Sequence, residues 1–237
     1  MAITYNNLYM DIRQELRAAG IQAATLEARE LVCFGTGKTR DELTRDGRLY
    51  ASPELEKRVR ELAARHLAGE PVAYLIGEWE FYGLPLDISE HVLIPRPDTE
   101  ILVEKAIMLL PKNARFADLC TGSGCIAWTV AAEYATISSA AAENNLAGRK
   151  TAEDANVGRT SYDSTASYSM QGAQVEAVDI SDGALRIASS QQIEESVSVQ
   201  FYKADVLKEP DPEVFAAGSY DVILSNPPYV MNKEKAL

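Results

Sequence analysis

The stretch Phe116-Ala117-Asp118-Leu119-Cys120-Thr121-Gly122-Ser123-Gly124-Cys125-Ile126-Ala127 decides the fold. A short apolar run meets a glycine turn, and Cys125 to Ala132 then continues as a helix-compatible segment with Ile126 and Val130 four residues apart. Strand, glycine turn and helix in that order leave bare backbone where a nucleotide approaches a helix N-terminus. Gly122-x-Gly124-x-x-Ala127 also matches the dinucleotide fingerprint, which keeps a nicotinamide-dependent oxidoreductase in view at this point. Val175-Glu176-Ala177-Val178-Asp179 supplies a second strand ending in a carboxylate able to take the two hydroxyls of a ribose. Asp179 stands well beyond the roughly 20-residue spacing of that fingerprint, so the crossover carries an insert. Between about 136 and 172 the chain is rich in Ala, Ser, Thr, Asn and Gly, with Ile137, Leu146, Val157 and Met170 too sparse to set a period. It reads as a mobile excursion, with helix-compatible residues from Ser138 to Leu146.

Tyr220-Asp221-Val222-Ile223-Leu224 is a further apolar run, closed by Ser225-Asn226-Pro227-Pro228-Tyr229. Such a run reads as a strand inside a parallel sheet, and ligands bind beyond the carboxyl ends of such strands. The following prolines hold Asn226 and Pro227 extended. The side-chain oxygen of Asn226 and the main-chain oxygen of Pro227 can together accept both hydrogens of one planar NH2, with the Tyr229 ring against its plane. That pocket suits an amide or an amino-purine. An amide nitrogen is a poor nucleophile, and two fixed acceptors orient it and favour the charge it develops on attack. A sheet in a sequence that stops at Leu237 has at most four parallel strands, with the Val222 strand at an edge. That edge points to self-association, a covering partner or a C-terminally truncated fragment.

Composition narrows the field. The net charge of −12 argues against stable binding to nucleic-acid backbone. Cys33, Cys120 and Cys125 form no CxxC pair, and His66 and His91 are the two histidines, so neither a disulfide framework nor a metal site is expected. The sequence has no leader-like opening and no apolar run of membrane-spanning length, which makes the cytoplasm the expected compartment.

Ahead of the nucleotide-type half, residues 1–70 read as a small helical bundle. Thr4 caps a helix carrying Leu8, Ile12 and Leu16 that Gly20 stops; a second helix carries Leu26, Leu31 and Val32 and ends near Gly35. Thr39 and Glu42 have capping-box spacing, and Ser52-Pro53 opens a helix with Leu55, Val59 and Leu62 inward. Residues 71–93 are a β-hairpin linker built on Trp79-Glu80-Phe81-Tyr82 and Leu84 to Ile88 about Gly83. In the third part, residues 94–237, the prolines of Ile94-Pro95-Arg96-Pro97 keep the chain extended until Asp98 or Thr99 caps a helix. After Asp179, a helix through Leu185 and Ala188 leads to the strand Val197 to Phe201, and Asp205 stands just past it, able to accept from an adenine amino group.

Taken together, Pro71 to Gly77, Phe81-Tyr82-Gly83, Ile94 to Glu100, Asp118 to Gly124, Ala177 to Ser181 and Asn226-Pro227-Pro228-Tyr229 resemble the peptide chain release factor glutamine methyltransferases. The resemblance runs along the whole chain except the insert. It implies an α/β class I S-adenosylmethionine-dependent methyltransferase fold, Rossmann-like with a mainly parallel sheet, behind a small helical domain that helps dock the substrate. It further implies transfer of methyl from S-adenosylmethionine to the glutamine amide of the Gly-Gly-Gln motif of class I release factors, leaving S-adenosylhomocysteine. On this resemblance Asp118, Cys120, Thr121, Gly122, Ser123 and Gly124 line the cofactor, Asp179 holds its ribose, Asp205 and Val206 border its adenine, and Asn226 lies beside it. Asn226, Pro227, Pro228 and Tyr229 hold the substrate glutamine, with Asn226, Pro227 and Tyr229 as the catalytic set. Cys120 stands where the family more often has glycine. A nucleic-acid adenine methyltransferase, which would use the same NH2 pocket on a flipped base, and an inactive cofactor-binding fragment are the alternatives.

Overall fold

The computed structural model describes residues 2–111, 114–136, 174–193, 197–209, 211, 215 and 218–228. The proposed insert lies almost wholly outside these residues, and Tyr229 lies outside them too. The chain divides into two compact units, Met1–Trp79 with Ile88–Glu90, and Glu80–Asp87 with His91–Leu237.

The first unit is helical. α1 (Tyr5–Ala18) starts where the Thr4 hydroxyl accepts from the Asn7 N–H, and its Leu8, Ile12 and Leu16 are fully buried at a spacing of four. α2 (Ala24–Thr36) buries Leu31 and Val32 and leaves Leu26 exposed. The helix runs to Thr36 and ends on Gly37 in the left-handed region. Gly35 lies near the end, as expected, and is also a packing contact: a Cβ there would meet Val59 Cγ2 at 2.5 Å, so α2 and α4 (Pro53–Leu67) approach closely at that point. α3 (Arg40–Arg45) carries the full reciprocal capping box of Thr39 and Glu42. Val59 and Leu62 of α4 complete the core, while Leu55 is only partly buried against it.

α5 (Val72–Ile76) was not foreseen; it occupies the first part of what the sequence suggests as linker. Five residues are too few to display a helical period. β1 (Glu78–Phe81) and β2 (Leu84–Asp87) then form the hairpin, with Tyr82 and Gly83 both at positive φ in its turn.

The second unit is built on a four-stranded sheet of order β5-β4-β3-β6 with every pairing parallel. Its strands are β3 (Arg115–Leu119), β4 (Gln174–Asp179), β5 (Gln200–Lys203) and β6 (Val222–Ser225). β5 begins at Gln200, three residues later than the apolar run at 197 suggests, because its pairing starts where Gln200 meets Glu176. β6 ends the sheet among the described residues, as the sequence anticipates. One sheet face, with Phe116, Val175, Ala177, Val222 and Leu224, belongs to a core shared with Val103 and Ala106 of α6 (Pro97–Leu109) and Ile126 and Val130 of α7 (residues 125–136). α6 starts earlier than expected: Arg96 is the N-cap without a side-chain bond and Pro97 the first helical residue, so Asp98 and Thr99 lie inside the first turn. α8 (Asp182–Ser190) is capped by Ser181, whose hydroxyl accepts from the Ala184 N–H. No helix among the described residues is long and apolar enough to cross a membrane.

Candidate active site

The parallel register brings the candidate residues to one end of the sheet. Leu119 of β3 pairs with Val178 of β4 on one side and Ser225 of β6 on the other. The glycine turn and Asn226 therefore follow directly from the carboxyl ends of adjacent strands, and Asp179 is the last residue of β4 beside them. The Ser225 hydroxyl donates to the Leu119 carbonyl at 2.8 Å, tying the last residue of β6 to the last of β3.

The turn itself is shaped by backbone demands. Cys120 has φ 61°, a left-handed conformation that a side chain disfavours and glycine does not. A glycine at this position would adopt the same backbone without a Cβ to strain it. Gly122 has φ 58° with open space where a Cβ would stand, and Gly124 has φ 81° with a Cβ that would meet Trp128 Cδ1 at 2.8 Å. Gly124 is needed for close packing, whereas Gly122 exposes bare backbone to open space. The Trp128 ring is fixed in turn by its Nε1–H, which donates to the Ala188 carbonyl at 2.8 Å.

Asp179 closes on the turn. Its Oδ2 accepts from the Gly122 N–H and its Oδ1 from the Ser181 N–H, each at 2.9 Å. Both oxygens keep lone pairs for hydroxyl donors. Asp118 lies beneath, wholly buried, and takes the Thr121 hydroxyl on Oδ2 at 2.5 Å. Burial pushes its carboxyl up to about 7, opposed by the Thr121 bond and the pull of the Ala127 backbone and assisted by the negative field of Asp179. Burial likewise raises the Cys120 thiol and pushes Cys125 up to about 12, so neither is poised as a thiolate. Ser123 is buried, and its Oγ has no hydrogen-bond partner among the described residues.

Asn226 is half-buried and donates from Nδ2 to the Thr99 hydroxyl at 3.1 Å, a bond that does not use its Oδ1 acceptor. Pro227 and Pro228 are exposed beside it. Asp205 follows β5 and turns its carboxylate onto its own loop, accepting from the Leu207 N–H at 3.1 Å and pairing with Lys208 at 3.3 Å. The Leu207 bond, with Lys208, holds its carboxyl below the usual range. The neighbouring Val206 is exposed.

Residues 7–77 match the PrmC N-terminal domain and residues 163–237 the methyltransferase small domain. Proteins named release factor glutamine methyltransferase are similar over nearly the whole chain. The one from Neisseria gonorrhoeae is 34% identical over 212 residues, covering 90% of this chain and 63% of the relative. Those from Koribacter versatilis and Aliivibrio fischeri are 31% and 32% identical, covering 96% and 97% of this chain and 68% of each relative. The chain belongs to the release factor glutamine methyltransferase family. It spans about two thirds of the length of these relatives. Its α/β unit has the class I methyltransferase fold of that family.

Two side chains at this candidate site escape sequence reasoning. Thr99 lies in the Ile94–Glu100 motif, which periodicity alone makes a helix start, yet it reaches Asn226 across the fold. Gln191 carries no motif. Its Oε1 accepts from the Asp87 N–H at 2.8 Å, and its Nε2 donates to the Asp87 and Ser123 carbonyls at 3.0 and 3.2 Å. One buried carboxamide thereby joins β2 to the glycine turn. The pairing of a Gln after a helix with backbone on a distant hairpin leaves no sequence signal. A separate concavity of about 570 Å³ opens on the opposite sheet face, lined by Ala117, Leu119, Val178, Tyr202 and Ile223. It shares Asp205 and Val206 with the candidate cofactor set but none of the glycine turn, Asp179 or Asn226.

Proposed function

We propose that this chain is the cofactor- and substrate-binding part of a protein glutamine methyltransferase. It moves a methyl group from S-adenosylmethionine to the side-chain amide of the glutamine in the Gly-Gly-Gln motif of class I release factors. The observation that carries the reading is the adjacency of β3 and β6: Leu119 pairs with Ser225, so the glycine turn and Asn226 start side by side. Family membership supplies the substrate.

The residues present suit the cofactor. Gly122 offers bare backbone facing open space, and Asp179 is already held by two backbone N–H groups with lone pairs left for the ribose hydroxyls. Cys120, Thr121, Ser123 and Gly124 complete the turn that borders the methionine end. Asp205 and Val206 border the adenine, with Asp205 able to accept from its amino group. Asp118 acts through Thr121 and the shape of the turn. When bound, S-adenosylmethionine supplies an electrophilic methyl and leaves as S-adenosylhomocysteine.

The chain's own work is to present the nucleophile. Asn226 Oδ1 and the Pro227 carbonyl accept the two hydrogens of the glutamine NH2, Pro228 fixes the bend, and Tyr229 flanks the amide plane. Held so, the nitrogen lone pair points along one line, and the positive charge growing on nitrogen meets two fixed dipoles. The nitrogen held by Asn226 and Pro227 would take the methyl that a bound S-adenosylmethionine supplies, with one amide proton released to solvent. The N-terminal helical unit serves release-factor docking. The test is mass spectrometry of an unmethylated class I release factor incubated with the chain and S-adenosylmethionine. One methyl on the motif glutamine is expected; S-adenosylhomocysteine binding without transfer would leave the cofactor site and reject the activity of this chain.

A further inference from the structure

Asn226 has two chemically opposite ends, and only one serves a substrate NH2. With Oδ1 outward it accepts; turned over, it would set donors against donors. A fixed partner at the other end would hold the accepting orientation once a substrate NH2 is present, because a side-chain amide at a strand exit can rotate about its last torsion.

Thr99 occupies the other end. It lies in the first turn of α6, 7% exposed, with its own N–H donating to the Arg96 carbonyl at 2.9 Å. Its β-branched side chain is restricted to a small set of rotamers in a helix, and here its hydroxyl meets Asn226. We infer that Thr99 is a positioning residue for Asn226: its hydroxyl takes Nδ2 at 3.1 Å and reserves Oδ1 for the reacting amide. A threonine hydroxyl can serve either end of a carboxamide. A substrate NH2, however, presents donors alone, so only the Nδ2-to-Thr99 arrangement satisfies both contacts at once. Thr99 thus ties the geometry of the α6 start, and with it the Pro95-Arg96-Pro97 stretch, to the acceptor that meets the substrate. The inference rests on the glutamine methyltransferase reading for its consequence and on the Thr99 to Asn226 bond for its cause.

The experiment has two arms on the same variants, Thr99→Val, Thr99→Ala and Thr99→Ser, each checked for folding by thermal melting. In the first, hydrogen exchange of the Asn226 side-chain NH2 is followed by NMR, its signals identified by their loss in Asn226→Asp. Exchange should quicken by about tenfold or more in the Val and Ala variants and stay close to the parent in Ser, since only Ser keeps the hydroxyl. In the second arm, methyl transfer to the release factor should fall about ten- to a hundredfold in Val and Ala, as when an outer partner of a reacting group is removed. Ser should restore it, and S-adenosylhomocysteine affinity should stay unchanged throughout. Parent-like exchange in the folded Val and Ala variants overturns the bond, and parent-like turnover in them overturns the positioning role. If the parent chain transfers no methyl, the proposed function fails, and the exchange arm alone decides for or against Thr99.

Discussion

At the scale of single residues the site depends on a few polar atoms whose partners are fixed. Asn226→Ala removes one of two acceptors for the substrate NH2 and should raise the barrier by about 3 kcal/mol, the size of losing a preorganised hydrogen-bonding group. Single-turnover methyl transfer measures it, and unaltered turnover would exclude the role. Cys120→Gly relieves a side chain held at φ 61° and should stabilise the protein by about 1 kcal/mol, seen as a higher urea midpoint. Asp118 gives a pH signature. Its carboxyl stands at about 7 in the folded chain against an ordinary value of 3.8, so the folded state holds one proton more between those values. Stability from the neutral group is present in full below about 4 and is lost as pH rises through 7. Thermal melts should therefore show a fall in stability between about pH 4 and pH 7, levelling off above, that Asp118→Asn flattens; identical slopes in the two proteins would show that the group does not titrate there. The glycines, Asp179 and Asn226 were legible because each belongs to a local motif. Thr99 was not, because its bond to Asn226 spans 127 residues and helix-start chemistry already explains a threonine at that position.

At the scale of elements, Gln191 joins three of them. It follows α8, satisfies both backbone groups of Asp87 on β2, and reaches the Ser123 carbonyl in the glycine turn. Gln191→Ala would strip partners from these groups in a buried setting and should cost about 2 to 3 kcal/mol of stability. If the turn also loosens, S-adenosylhomocysteine affinity falls with it; calorimetry of binding beside chemical denaturation separates the two effects, and a variant with parent stability would show the tie to be dispensable. Elements with a long apolar period or explicit caps, such as α1 with Thr4 and α3 with its capping box, were readable from the sequence. α5 was too short to declare itself. β5 was displaced because apolar residues at 197–199 resemble strand, while the ladder that defines a strand depends on β4, distant in sequence.

At the scale of the whole molecule, the two units carry separate cores. Leu8, Ile12, Leu16, Leu31, Val32 and Val59 are all fully buried, and they pack together within the first unit. The strand positions Phe116, Val175 and Ala177 pack in the second. The first unit adds an ion-pair cluster of Arg60 with Asp11, Glu15 and Glu56, and every candidate site residue belongs to the second unit. A segment of roughly 80 to 90 residues with a continuous core is within the size range that folds alone. Residues 1–90, which include the Ile88 N–H bond to the Gly77 carbonyl, should therefore melt cooperatively as an isolated helical protein. Within that fragment Leu16→Ala should lower stability by about 2 to 5 kcal/mol, the cost of a buried cavity. Circular dichroism on the fragment with and without the substitution tests both statements. A broad, non-cooperative melt would mean that the first unit draws its stability from the second, whereas a sharp transition abolished by Leu16→Ala would place that stability in its own core.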